Sequence, residues 1–349
     1  MAEIARQLLA LGADPNTRFP WEHHGVHRPV LWGAALATRS LPLVQLLLEA
    51  GADPNDGVTL VIAASAADIP LLDLLHAHGA RADQPWATDG STALYAILGW
   101  SRRFEGALWL LDHGADPNAV FPANGETPFH AAARVGHLPL AESMLAHGGG
   151  VDVRRTDGKT PYAIAELSGN REMAAWLLAH GASGDLEEAD QLTALCSRGD
   201  RAGAEAFLGA HRTVVRQLGE DHYTAFHQVA ESGDLRALEA FLAAGFDPNR
   251  PDASIGKTVL HSAAMAGRAE AVRLLLSCGA SVAVRDREFN GQPLVWAAEG
   301  SRSHGEASGE YAAVGRLLLA AGSPVEWEGS AEPSEGILEI VDGWRQPAS

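Results

Sequence analysis

The stretch GETPFHAAARVGH (125–137) carries the signature of a helix start, and it recurs. Thr127 can cap a helix through its hydroxyl, and Pro128 takes the first-turn position, where a missing N–H costs nothing. The alanines that follow let a second helix approach closely. GKTPYAIAELSGN (158–170), GKTVLHSAAMAG (256–267) and YTAFHQVAESGD (223–234) repeat the pattern, with Thr160 and Thr258 as further caps and Pro161 in the first turn. A second phrase alternates with this block: GADPN at 12–16, 51–55 and 114–118, and GFDPN at 245–249. Weaker relatives are GARAD (79–83), GASGD (181–185), GASVAV (279–284) and GSPVEW (322–327), and these turns follow apolar helical segments such as IARQLLAL, LVQLLLEA, GALWLLDH and AVRLLLSC. The glycine that ends each segment fits the left-handed conformation of a helix stop. One unit is therefore helix, tight turn, helix, loop.

With Gly12, Gly51, Gly79, Gly114, Gly148, Gly181, Gly245, Gly279 and Gly322 as markers, the spacings are 39, 28, 35, 34, 33, 64, 34 and 43. The 64 reads as two units with one degenerate marker. At these residues the chain resembles the ankyrin repeat family, whose period is about 33 and whose signature is T-P-L-H-x-A. The resemblance implies an all-α solenoid of about ten helix-turn-helix units, incomplete at both ends, with finger loops. EPSEGILEIVDGW (332–344) is expected to be a capping helix. Between 186 and 219 helical periodicity persists without the glycine, so a bend or seam is expected there, dividing an amino-terminal array (1–185) from carboxy-terminal repeats (220–349). The resemblance further implies that first helices line a concave palm, that second helices form the convex back, and that the palm and fingers bind proteins.

Composition narrows the partners. With 44 acidic and 26 basic residues, a formal charge of -18 repels nucleic acid and anionic membrane surfaces alike. No run approaches the ~20 apolar residues of a membrane span, and the amino terminus lacks the pattern of a secretory signal. Two cysteines, Cys196 and Cys278, exclude a disulfide framework and are expected to be buried and inert. The reading is a soluble cytoplasmic protein.

Most chemistry-bearing residues fall into repeat roles. His130, His227 and His261 occupy the T-P-L-H slot, where the resemblance gives the imidazole the task of bracing the loop. His78, His113, His147 and His180 precede the turn glycine, and His137 follows Gly136. Asp14, Asp53, Asp116 and Asp247 belong to the G-x-D-P turn, while Asp89 and Asp157 precede turn glycines; all six read as loop-shaping residues. Left over are His23, His24, His27, His211, His222, His304 and His76. Glu22, Glu126, Asp221, Asp252 and Glu288 are expected on solvated loops.

Tryptophan, at nine copies, is the informative residue. Trp109 and Trp176 sit among leucines and read as core. Trp21, Trp86 and Trp327 follow the turn marker on fingers, joined by Phe19, Phe121 and Phe289; Trp32 replaces histidine in the signature slot, and Trp100 and Trp296 fall at or near palm-facing positions. An aromatic row on fingers points to an apolar lining for a groove, with packing between fingers as the competing explanation. FPWEHHGVHRPVLW (19–32) enlarges the first finger, and EGSRSHGEASGEY (299–311) is an insertion between two helices; the two would flank one groove.

His23 and His27 have an H-x3-H spacing, but on a Gly/Pro-rich loop with no third ligand in view, so no metal and no cofactor is expected. An acid–base pair built from Glu22 or His24 with Arg134, Glu231 or Glu299 needs a reach of about 3 Å. No phosphate loop or nucleophile elbow is present. The first functional reading is an ankyrin-type interaction protein that holds a protein partner in the palm and fingers. The second is an enzyme or a binder of a small apolar or aromatic ligand. Trp21, Glu22, His23, His24, His27, Trp32, Trp86, Trp100, Arg134, Glu231, Trp296 and Glu299 are the candidate binding residues for either.

Overall fold

A computed structural model of the chain describes residues 2–20, 27–86, 89–100, 103–304 and 310–324. After a single helix, α1 (Ala2–Ala10), nine helix pairs follow in order. They are α2 (Val30–Leu36) with α3 (Leu41–Glu49), α4 (Thr59–Ser65) with α5 (Ile69–Ala77), α6 (Ala93–Trp100) with α7 (Glu105–Asp112), and α8 (Pro128–Val135) with α9 (Leu138–Ala146). Next come α10 (Pro161–Leu167) with α11 (Arg171–Ala179), α12 (Glu188–Ser197) with α13 (Arg201–Ala210), and α14 (Glu220–Ser232) with α15 (Leu235–Ala243). α16 (Val259–Met265) with α17 (Ala269–Ser277) and α18 (Pro293–His304) with α19 (Tyr311–Ala320) complete the series. The expected capping helix at 332–344 lies outside the described residues. Helices α1 to α11 belong to one compact unit and α12 to α19 to another, with residues 166–169 at the end of α10 grouped with the second.

Local chemistry explains why the pattern repeats. Gly114 ends its helix at φ 91°, and a Cβ there would meet no atom within 4 Å, so the need for glycine is torsional rather than spatial. Two residues on, the aspartate of each turn accepts the amide of the asparagine that follows: Asp14 from Asn16, Asp53 from Asn55, Asp116 from Asn118 and Asp247 from Asn249. The asparagine then reaches into the next repeat. Asn118 Nδ2 donates to the carbonyl of Gly148 while its Oδ1 accepts from Gly150 N, and Asn16, Asn55 and Asn249 bond the same way to Gly51 and Asp53, Gly79 and Arg81, and Gly279 and Ser281. These four asparagines pin neighbouring turns together, a role the sequence reading left unassigned.

Packing follows the small residues. Gly106 of α7 lies so close to α4 that a Cβ would run into the carbonyl of Ala64. In the first unit Leu31, Leu72, Leu94, Leu110, Phe129 and Leu140 are fully enclosed. In the second, Phe226, Phe241 and Phe246 pack ring on ring, with Leu260, Leu275 and Leu318 in the same core.

Several expectations are refined or corrected. The stretch 186–219, read as a degenerate repeat or seam, holds the helix pair α12 and α13 followed by a short 3-10 turn (Val214–Gln217), which by itself neither supports nor contradicts a seam. Its marker glycine has become His211, at φ -120°, whose ring stacks on Phe207 at 4.3 Å. The first finger is a hairpin rather than a plain loop: β1 (Arg18–Pro20) pairs antiparallel with β2 (His27–Pro29), Phe19 opposite Arg28. The insertion at 299–311 is helical at its start, because α18 runs on through His304. Cys278, expected to be buried, is exposed, whereas Cys196 is enclosed and burial pushes its thiol up to about 12. Among the described residues, no helix is long and apolar enough to cross a membrane.

Candidate functional site

In the first unit the polar chemistry converges on Glu126, expected to be solvated and found 2% exposed. Finger 121–126 closes through Phe121 N to Glu126 O at 2.7 Å, which turns the Glu126 side chain inward. Its Oε1 accepts from Arg134 of α8 at 2.5 Å and from Arg155 of the next finger at 2.7 Å, and its Oε2 accepts from the hydroxyl of Tyr95 on α6 at 2.7 Å. Arg155 also grips Asp157 through Nε and Nη2. Burial opposes ionisation of Glu126, but the charge of Arg134, the hydrogen bonds from Tyr95 and Arg134, and the charge of Arg155 outweigh it and hold the carboxyl at about 2. The same burial, with the Glu126 charge beside it, raises the Tyr95 phenol. Tyr95 stacks on Phe121 at 4.8 Å, so the corner between α6, α8 and two fingers is rigid and half apolar.

The second unit has a counterpart built from other groups. Asp286, also 2% exposed, accepts the amides of Glu288, Phe289 and Gly291 and the indole N–H of Trp296, all within 3.0 Å. Burial again works against the charge, and these four neutral donors still lower its pKa. Trp296 of α18 meets His261 edge-on at 5.8 Å and Phe289 at 6.3 Å, with the Lys257 ammonium 5.8 Å from its centroid. Lys257 pairs with Glu231 at 3.3 Å. Phe289, at the finger tip, is 59% exposed.

The sequence-predicted residues distribute as follows. Trp21, Glu22, His23 and His24 lie outside the described residues, as does the side chain of Trp100, which ends α6. His27 is exposed on β2, and its carbonyl accepts from Arg18 at 3.3 Å. Trp32 is 5% exposed, packed 6.1 Å from Phe19 and 5.4 Å from the Arg28 guanidinium, which leaves little of its ring for a ligand. Trp86 is half-buried in a finger closed by its own amide and carbonyl. Arg134 and Glu231 are each engaged in an ion pair, and Glu299 pairs with Arg302 one helical turn on. Among the described residues no three His, Cys, Asp or Glu side chains cluster as a metal site.

Comparison with known proteins agrees with this geometry. Residues 31–121, 118–188, 192–286 and 226–319 match the family described as ankyrin repeats (3 copies). The chain belongs to the ankyrin-repeat family. It is 25% identical over 253 residues to the E3 ubiquitin-protein ligase KEG of Arabidopsis thaliana, covering 71% of this chain and 14% of that protein. It is 32% identical over 188 residues to the human SH3 and multiple ankyrin repeat domains protein 2, covering 52% of this chain and 10% of that protein. The chain thus spans a small part of either relative's length.

The ankyrin signature slot accounts for three histidines, His130, His261 and His222. His130 and His261 accept the amides of Thr127 and Thr258 at Nδ1, each closing a capping box with its threonine, whose hydroxyl also meets the same nitrogen. Nε2–H is then free to donate to the carbonyls of Lys159 and Gly291 in the next finger. Thr160, with no histidine behind it, caps Ala163 N directly at 3.3 Å. His227 does not brace a loop. Helix α14 starts earlier, at Glu220, so His222 takes the slot, accepting from Gly219 N at 2.7 Å and donating to the buried Asp190 of α12 at 2.9 Å. His227 instead reaches across to Ser262 of α16 at 2.9 Å, and burial pushes its pKa down to about 4. His113, His147 and His180 bond the carbonyls of Trp109, Ser143 and Trp176, sealing the ends of their helices.

Proposed function

We propose that the chain is an interaction module that holds a protein partner against its first helices and finger loops. The observation that carries this reading is the division of labour at the finger corners. Titratable groups there are consumed in bracing, as Glu126 is by Arg134 and Arg155, while apolar side chains remain at the tips. Phe289 at 59% and Val120 at 60% exposure project from corners whose backbones are locked. Rigid apolar anchors on a braced loop lose little entropy on binding. A basic surface on the partner suits the formal charge of -18. The chain's similarity to an E3 ubiquitin-protein ligase and to a protein of SH3 and multiple ankyrin repeat domains is in keeping with a module that brings proteins together.

Cross-linked capture from the native cell, with Phe289→Ser beside wild type, tests the reading. Loss of a captured protein in the variant, with an unchanged melting temperature, is expected. A variant that captures the same proteins in the same amounts contradicts it. Leu178→Ser, on second helix α11 and 45% exposed, is the control expected to leave capture intact.

A further inference from the structure

Two consecutive fingers of the first unit close by the same pair of bonds. Trp86 N donates to Ser91 O at 2.6 Å and Gly90 N to Trp86 O at 3.0 Å, while Phe121 N donates to Glu126 O at 2.7 Å and Gly125 N to Phe121 O at 2.9 Å. Trp86 and Phe121 therefore hold one structural position. In the next finger the residue that closes the loop is Arg155, whose amide donates to Lys159 O, and in the second unit it is Asp252 and Asp286, donating to Lys257 O and Gly291 O. Among the described fingers closed in this way, the first two alone place an aromatic ring there. Each ring is half-buried and follows an apolar residue that is not: Pro85 is exposed, and Val120 is 60% exposed. Pro122 is exposed as well. The two fingers touch, since a Cβ on Gly90 would lie 3.9 Å from Pro122 Cγ. Pro85, Trp86, Val120, Phe121 and Pro122 thus form an apolar strip across both tips, held firm where Phe121 stacks on Tyr95 at 4.8 Å.

The charge around this strip has one sign. Between residues 51 and 125 the chain carries nine acidic and three basic residues, and one of the three, Arg81, is engaged by Asp83. Asp89, on the first of the two fingers, and Asp116, on the turn before the second, are exposed, and among the described residues neither pairs with a base. At the far edge Arg155 is enclosed by Glu126 and Asp157, and Arg154 donates to the carbonyl of Gly158. Resting on the interaction-module reading above, we propose that this strip takes a partner segment in which apolar residues are flanked by lysine or arginine. An apolar centre inside a charged rim is the layout of a specific interface. Rim carboxylates draw in a basic segment and turn away an acidic one, so the rim sets which apolar sequences are accepted.

Selection of phage-displayed random peptides of about a dozen residues on the full chain at low salt tests this. The recovered sequences are expected to combine lysine or arginine with a short apolar run, and to bind more weakly as salt rises. Fluorescence anisotropy with the labelled peptides then locates the contact. Val120→Ser is expected to raise the dissociation constant about tenfold. Asp89→Asn with Asp116→Asn removes both charges but keeps the side-chain oxygens that accept from Ser91 and Asn118, and is expected to raise it about tenfold as well. Glu239→Gln with Glu270→Gln, the same change of charge on second helices α15 and α17, is expected to leave it unchanged, and all variants to melt with wild type. Recovery of acidic peptides, recovery of none, or binding that ignores either the Val120 or the aspartate substitutions overturns the proposal. The wider reading fails separately, through native capture that Phe289→Ser leaves intact.

Discussion

Two buried carboxylates, Glu126 in the first unit and Asp286 in the second, do the same work by different means. Each sits 2% exposed at the corner where a finger enters a first helix, and each is held ionised. Glu126 is held by two guanidinium groups and a phenol that arrive from two helices and a neighbouring finger. Asp286 is held by three amides of its own loop and one indole. The first arrangement ties separate repeats together; the second folds a single finger and fixes one tryptophan. A buried charge can thus be satisfied by opposite charge or by oriented neutral donors, and the choice decides how far the consequences of removing it spread.

The largest expected effect comes from breaking the first arrangement. Glu126→Gln leaves Arg134 and the enclosed Arg155 short of a counter-charge, and urea unfolding is expected to show a loss of roughly 3 kcal/mol. Arg155 keeps Asp157, which sets a ceiling on that loss.

Acid acts next, on buried rings in both units: burial lowers the pKa of the enclosed His130 in the first and of two rings in the second. Burial pushes the folded pKa of His227 and of His261 to about 4, below the 6.5 of the unfolded chain. The unfolded state therefore takes up protons first, so this stability is present above pH 6.5 and is lost as pH falls toward 4, on the order of 3 kcal/mol for each fully enclosed ring. Glu126, at about 2 against 4.5 unfolded, contributes stability that is present above pH 4.5 and disappears only as pH falls toward 2. Equilibrium unfolding followed from pH 7 to 4 is expected to weaken the second unit through these two rings, and His227→Gln to remove part of that slope.

Smaller effects sharpen the contrast. Trp296→Phe deletes one of four donors to Asp286 and is expected to cost about 1 kcal/mol, as is Thr127→Ala, which opens the box with His130. Lys257→Met loses a partly exposed ion pair and a distant ring contact, and is expected to change stability by no more than about 0.5 kcal/mol.

Much of the fold was legible because the residues that repeat are those that local geometry demands. Gly114 needs its φ of 91°, and threonine, proline and alanine mark each first helix. The start of α14 was misread because Gly219-Glu-Asp-His222 keeps the cap-to-histidine spacing without the threonine, while YTAFH five residues later imitates the signature. The pairing of Glu126 was not legible at all, since Arg155 comes from the next finger, 29 residues on, and no local pattern announces it. One signal was available: the position before the cap is repeatedly polar, with Glu126, Lys159 and Lys257 there, which marks the corner as a place where polar side chains are used. Of the aromatic candidates, Trp32 turned inward because Phe19 and Arg28 of the hairpin cover it.

A side-chain carboxyl titration by carbon-detected NMR, from pH 6.5 down to 3.5, tests most directly whether the finger corners are built on buried ionised carboxylates. Glu126 is expected to show no protonation across that range, in keeping with a pKa of about 2. A Glu126 resonance that titrates near 4.5, as a solvated glutamate does, would contradict the enclosed Glu126–Arg134–Arg155 cluster.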